Sequence, residues 1–112
     1  MTGNVLKYWE TGYVNCASLT VPQLITTLRG GESVTLKSHE VSGDYHKIGS
    51  SKTLISTQGY LLGAEETMTL TLPIDFGVDN YIEIYALPSA HEGKYVSFFK
   101  LIDLYPMTAT GG

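Results

Sequence analysis

Residues 66–72 alternate without a break, Met68, Leu70 and Leu72 on one parity and Thr67, Thr69 and Thr71 on the other. Only an extended chain sends every second side chain to the same side, so this run specifies a strand with one buried face and one wet face. Pro73 has no N–H to give to a ladder and ends the strand there. The same bias runs through the whole chain: 13 Thr, 7 Val and 7 Ile stand among 112 residues. Such β-branched residues favour strands.

Other segments follow the same logic. Residues 80–86 alternate as well, with Ile82, Ile84 and Ala86 against Tyr81, Glu83 and Tyr85, after a turn at Gly77-Val78-Asp79-Asn80. Residues 89–93 read as a loop. The last strand, 94–105, is the longest. Val96, Phe98, Ile102 and Leu104 share one parity, and Tyr95, Phe99, Leu101 and Tyr105 share the other. A strand with one wet face does not carry apolar residues on both sides, so either a bulge near Phe99 re-aims the side chains or both faces are covered. Residues 5–9, 13–19, 33–38 and 53–56 read as strands, Gly30-Gly31 as a turn, and 39–51 as a long, exposed connection. A short helix is expected over 21–29, with Thr20 as cap, Pro22 in the first turn and Leu24 and Leu28 four apart. Thr26 and Thr27 oppose it and keep a strand as the alternative there. The expected fold is all-β: a single antiparallel β-sandwich, jelly-roll or Ig-like, of seven or eight strands, with that one helix at most. In 94–105 it has a strand central to one sheet.

A chain of this length suits one domain, 1–112, which buries roughly 65% of the surface its unfolded form exposes. Short flexible tails are expected at 1–3 and 109–112. The single cysteine, Cys16, cannot form an internal disulfide. A net charge of −4 with scattered lysines offers no footprint for nucleic acid. No apolar run reaches the roughly 18 residues of a membrane span, and residues 1–7 do not read as a signal peptide.

Ser42, Asp44 and His46 alternate, but in an extended chain Ser42 and His46 lie about 13 Å apart, beyond a nucleophile–base contact. Cys16 sits among apolar neighbours and reads as a buried structural thiol rather than a nucleophile served by His39, His46 or His91. His39-Glu40 and His91-Glu92 each lack the second histidine of H-E-x-x-H. Asp75, Asp79 and Glu92 have no spacing that makes them converge on Ca²⁺ and read as turn acids. Gly30-Gly31-Glu32-Ser33 lacks the lysine and spacing of a phosphate loop. None of Asn4, Asn15 and Asn80 opens an N-x-[ST] acceptor. The chain is therefore expected not to be an enzyme, with no catalytic, cofactor-binding or metal-binding residues.

Aromatic residues carry the remaining signal. One Trp and eight Tyr exceed what a small core needs, while charged residues make up 16% of the chain, against about 25% in an average domain. Aromatic enrichment with charge depletion marks protein interfaces. The expected interface comprises Tyr81, Tyr85, Tyr95, Phe99, Leu101 and Tyr105, on the second faces of the strands at 80–86 and 94–105, together with Trp9. In composition and strand pattern the chain resembles the small β-sandwich decoration (cement) proteins of tailed-phage capsids. That resemblance implies a non-enzymatic virion protein on the capsid exterior that stabilises the lattice. Its partners would be the major capsid protein or another virion protein and copies of itself, often as a trimer. Avidity would multiply modest contacts, and ends such as 1–5 and 106–112 could order on binding. The alternative is a carbohydrate- or receptor-binding module of a fibre, baseplate or extracellular protein, with a coplanar aromatic set at Trp9, Tyr81 or Tyr85.

Overall fold

The alternating runs become eight strands: β1 (Lys7–Cys16), β2 (Gln23–Arg29), β3 (Ser33–Ser38), β4 (Tyr45–Gly49), β5 (Tyr60–Gly63), β6 (Thr67–Thr71), β7 (Tyr81–Pro88) and β8 (Lys94–Asp103). One short helix, α1 (Ile55–Gln58), and a 3₁₀ turn at Ile74–Phe76 complete the set. The computed structural model describes residues 7–77 and 79–103. A front sheet has the order β1-β8-β3-β6 and a back sheet the order β2-β7-β4-β5, with every neighbouring pair antiparallel. The chain changes sheet at each connection except that from β4 to β5. Of the two sandwich types expected, this is the jelly roll.

Inward residues of both sheets form the core: Cys16, Ile25, Leu28, Val34, Leu36, Ile48, Leu62, Ile84, Ala86 and Val96. In the longest ladder, β8 runs without a register shift between β1 and β3. Of the two alternatives for this strand, the bulge near Phe99 is therefore absent, and strict alternation governs both faces of β8. Inward parity holds Val96 and Phe98, and also Lys100, whose Nζ lies 3.3 Å from Glu32 Oε1 with both side chains nearly buried. Gly12, mid-strand in β1, faces Phe98, whose ring lies 3.1 Å from where a Cβ would be. A side chain there would displace the ring, and pairing with β8 continues through Gly12, so one strand stands where two were expected at 5–9 and 13–19.

Four local expectations need correction. The segment expected to be helical at 21–29 is strand β2. A register shift between Leu24 and Thr26 inserts one residue, so Ile25 and Leu28 both point inward despite lying three apart. That bulge imitates helical spacing. Residues 53–56, expected as a strand, belong to a turn and α1, because Ser51 Oγ and the Ser51 carbonyl accept the N–H groups of Leu54 and Ile55. The connection expected to be exposed at 39–51 contains strand β4. Its inward positions are His46 and Ile48, and a histidine in an apolar slot hides the alternation. Strand β5 was not expected at all. The expected end of the last strand at Tyr105, and the tails, lie outside the described residues.

Candidate functional site

Outward parity on the front sheet gathers Trp9, Thr11, Tyr13 and Asn15 from β1 with Tyr95, Ser97, Phe99 and Leu101 from β8. Ser33, Thr35, Lys37, Thr67, Thr69 and Thr71 of β3 and β6 continue the same face. Trp9 is 63% exposed, Tyr13 68%, and Tyr95 and Phe99 44% each. Their rings meet on cross-strand diagonals, where long side chains reach one another. Trp9 and Phe99 have centroids 6.0 Å apart, tilted by 34°; Tyr13 and Tyr95 are 4.9 Å apart, tilted by 58°. Beside them stand hydroxyls, with Thr35 and Thr69 in contact at 2.9 Å. From Trp9 along β1, up to Leu101 in β8, and throughout β3 and β6, only Lys37 on this face is charged, and it pairs with Glu65 at 3.2 Å.

Four of the expected interface residues thus share one face: Trp9, Tyr95, Phe99 and Leu101. Tyr13 joins them, and its place there depends on its register against Ser97. Tyr81 and Tyr85 do not extend this face, because β7 belongs to the back sheet. Tyr81 is exposed beneath the Arg29 guanidinium, 5.2 Å from its ring centre. Tyr85 is only 4% exposed and packs with Ile55 and Leu87. Its hydroxyl donates to Glu83 at 2.7 Å, and that bond to a carboxylate raises its pKa. Tyr105 lies outside the described residues.

Serine and histidine do meet, at Ser38 and His46 rather than at Ser42 and His46. Ser38 Oγ lies 2.7 Å from His46 Nδ1, with both residues wholly buried. Burial lowers the His46 pKa from 6.5, while Glu40 and a backbone contact at Lys94 pull the other way. The imidazole is neutral and enclosed, a core polar pair that substrate cannot reach. A second set, Glu65, His39 and Ser97, lies nearer the surface. His39 Nε2 is 2.8 Å from Ser97 Oγ and His39 Nδ1 is 3.7 Å from Glu65 Oε2. Ser97 sits mid-strand in β8, paired with Tyr13 of β1 and Lys37 of β3. The Cys16 thiol is buried, and desolvation, with Glu40 nearby, pushes its pKa up to about 11.

At one end of the sandwich, Glu40 and Asp44 from the β3–β4 connection meet His91 from the β7–β8 connection. His91 Nδ1 lies 3.2 Å from Glu40 Oε1 and 3.2 Å from Asp44 Oδ2. Among the described residues this is the one group of three such side chains with ligand atoms within 4.8 Å of one another. Asp75, Asp79 and Glu92 form no such group. Sequence spacing carries no signal for the trio, because His91 arrives by a contact between distant loops. Elsewhere, a cleft of about 200 Å³ opens between the sheets against Ile48, Met68, Leu70, Ile82 and Ile84. It is smaller than the roughly 300–1,000 Å³ of ordinary ligand pockets and its lining is mainly apolar.

No known protein family matches the chain, and no curated protein matches it. Among solved structures it is similar to a de novo designed double-stranded β-helix determined by solution NMR. The two share 9% identity over 86% of this chain and 97% of that one, with a TM-score of 0.48.

Proposed function

We propose that this protein is a non-enzymatic assembly module whose working surface is the outer face of the front sheet. One observation carries the reading: four exposed aromatic rings stand in two touching pairs on a hydroxyl-lined face with one charged residue in its described centre. Rings of this kind supply rigid contact area at little entropic cost, and threonine hydroxyls desolvate more readily than charges. The partners proposed are further copies of this chain, a trimer in the pattern of decoration proteins, and a capsid protein or other virion protein beneath them. Many weak contacts of one face across a lattice add up by avidity. The site would then lie on the virion exterior.

A sugar-binding module is the rival reading, and ring geometry weighs against it. Stacking on sugars needs a flat platform, whereas these pairs are tilted by 34° and 58°. Tyr81 is on the other sheet and Tyr85 is buried, so neither extends a platform from Trp9. The decisive experiment is native mass spectrometry across a concentration series, with Phe99→Lys beside the parent. Oligomers in the parent and monomers in a folded Phe99→Lys are expected. A parent that stays monomeric, or glycan-array binding that disappears on Trp9→Ala, overturns the proposal.

A further inference from the structure

We propose that Glu40, Asp44 and His91 bind a divalent transition-metal ion, with Zn²⁺ the best-matched, and that the ion clamps the β3–β4 connection to the β7–β8 connection. The inference does not depend on the aromatic face. Glu40 lies just past the end of β3, Asp44 just before β4, and His91 between β7 and β8. The loops that carry them are already fastened. Asp44 N–H donates to the Val41 carbonyl at 2.8 Å, Ser89 N–H to the Tyr45 carbonyl at 2.9 Å, and Tyr45 N–H to Ser89 Oγ at 3.1 Å. Ligands on braced backbone lose little freedom when an ion arrives.

Two of the three separations are close to those of a coordination shell, and all the ligand atoms lie within 4.8 Å of one another. Ligand atoms held about 2.0–2.2 Å from a tetrahedral Zn²⁺ stand about 3.3–3.6 Å from one another. His91 Nδ1 lies 3.2 Å from an oxygen of each carboxylate. Yet this nitrogen, shielded from solvent, makes no hydrogen bond among the described residues, so the approach to the two carboxylates lacks hydrogen-bond geometry. Independently, the Glu40 side chain is 0% exposed and its Oε2 has no hydrogen-bond partner among the described residues. Glu40 Oε1 accepts from Val41 N–H at 2.9 Å, which leaves the second oxygen enclosed and unserved. A carboxylate that stays ionised in such a place is stabilised by a cation beside it. An imidazolium at His91 would offer one proton to two carboxylates; a divalent ion satisfies all three groups. One imidazole with two carboxylates suits Zn²⁺, Mn²⁺ or Fe²⁺ better than Ca²⁺ or Mg²⁺, which prefer oxygen alone. Three protein ligands leave a position for water on the side where His91 is half exposed.

The test is a Zn²⁺ titration of EDTA-stripped, dialysed protein, read by calorimetry and by thermal denaturation, with Co²⁺ absorption as a probe of ligand geometry. One Zn²⁺ per chain and a saturable rise in Tm are expected. Even an outer-shell partner is worth roughly 10–100-fold in metal affinity, so Asp44→Asn and His91→Gln, both on loops, should each weaken binding more than about tenfold. His39→Gln should leave binding unchanged, because the pair of His39 and Glu65 lies outside the trio. Absence of saturable binding overturns the proposal. So does Zn²⁺ affinity that survives both loop substitutions, affinity that is lost in His39→Gln, or a response to Ca²⁺ in place of Zn²⁺.

Discussion

Strands β7 and β8 pose the same problem, apolar and aromatic side chains on both faces, and the molecule treats them differently. On β7 the outward residues Tyr85 and Leu87 are covered by the chain itself: Ile55 of α1 packs on them to form a second small cluster. Gly49 makes room, since its missing side chain would lie 3.3 Å from Ile55. On β8 the outward residues Tyr95 and Phe99 meet Tyr13 and Trp9 within the same sheet, and no described segment lies over them. Two apolar faces therefore announce that a strand has a second contact, without saying whether the cover comes from the same chain. On β7 only Tyr81, at its start, stays exposed, whereas β8 leaves paired rings open, and for that reason the proposed interface rests on the front sheet.

The comparison can be broken in four places, in decreasing order of effect. The largest lies on the inner face of β8. Glu32→Ala would leave Lys100 charged and buried, and breaking such a pair costs about 3–5 kcal/mol. Urea denaturation should show it, and adding Lys100→Met should recover much of the loss. Next comes the cover on β7. Ile55→Ala should cost about 2–4 kcal/mol by opening a cavity over Tyr85 and Leu87, read as a lower denaturation midpoint with an unchanged slope. A loss near zero would mean that α1 is ornamental and that the two strands do not differ.

The third test concerns the interior both sheets share. Burial holds the His46 pKa below 6.5, so above that pH the imidazole is neutral folded or unfolded. As pH falls below 6.5, the unfolded chain takes up a proton that the folded chain refuses, and stability drops until the lowered folded value is passed. Denaturation at about pH 7.5 and about pH 5.5 should show this loss in the parent, and a smaller one in His46→Gln. The smallest effect belongs to the open face. Phe99→Ala should change monomer stability by only about 0.5 kcal/mol while shifting the association equilibrium. Analytical ultracentrifugation beside thermal denaturation separates the two, and a large stability loss without a change in association would make Phe99 a core residue instead.

Much of this fold was legible along the chain. The 33–38 strand matches β3 end to end, and the alternation at 66–72, 80–86 and 94–105 places β6, β7 and β8. Failures came where a local device disguised the period: a bulge in β2, a buried histidine in β4, a glycine beneath Phe98 in β1. Site residues followed the same divide. Parity set Tyr95, Phe99 and Leu101 on one face, but parity does not say which sheet a strand joins, and so Tyr81 and Tyr85 were grouped with them.

What the amino-acid order determined by itself is the all-β class, the extent of the clearest strands and the sidedness of their residues. These are local properties, set by a two-residue repeat and by turn chemistry. Tertiary structure alone decided the jelly-roll order, the cover that α1 places on β7, the open aromatic face of β8 and the meeting of Glu40, Asp44 and His91. Each depends on contacts between residues far apart in the chain, whose pairing is selected by how the two sheets jointly bury their inner faces.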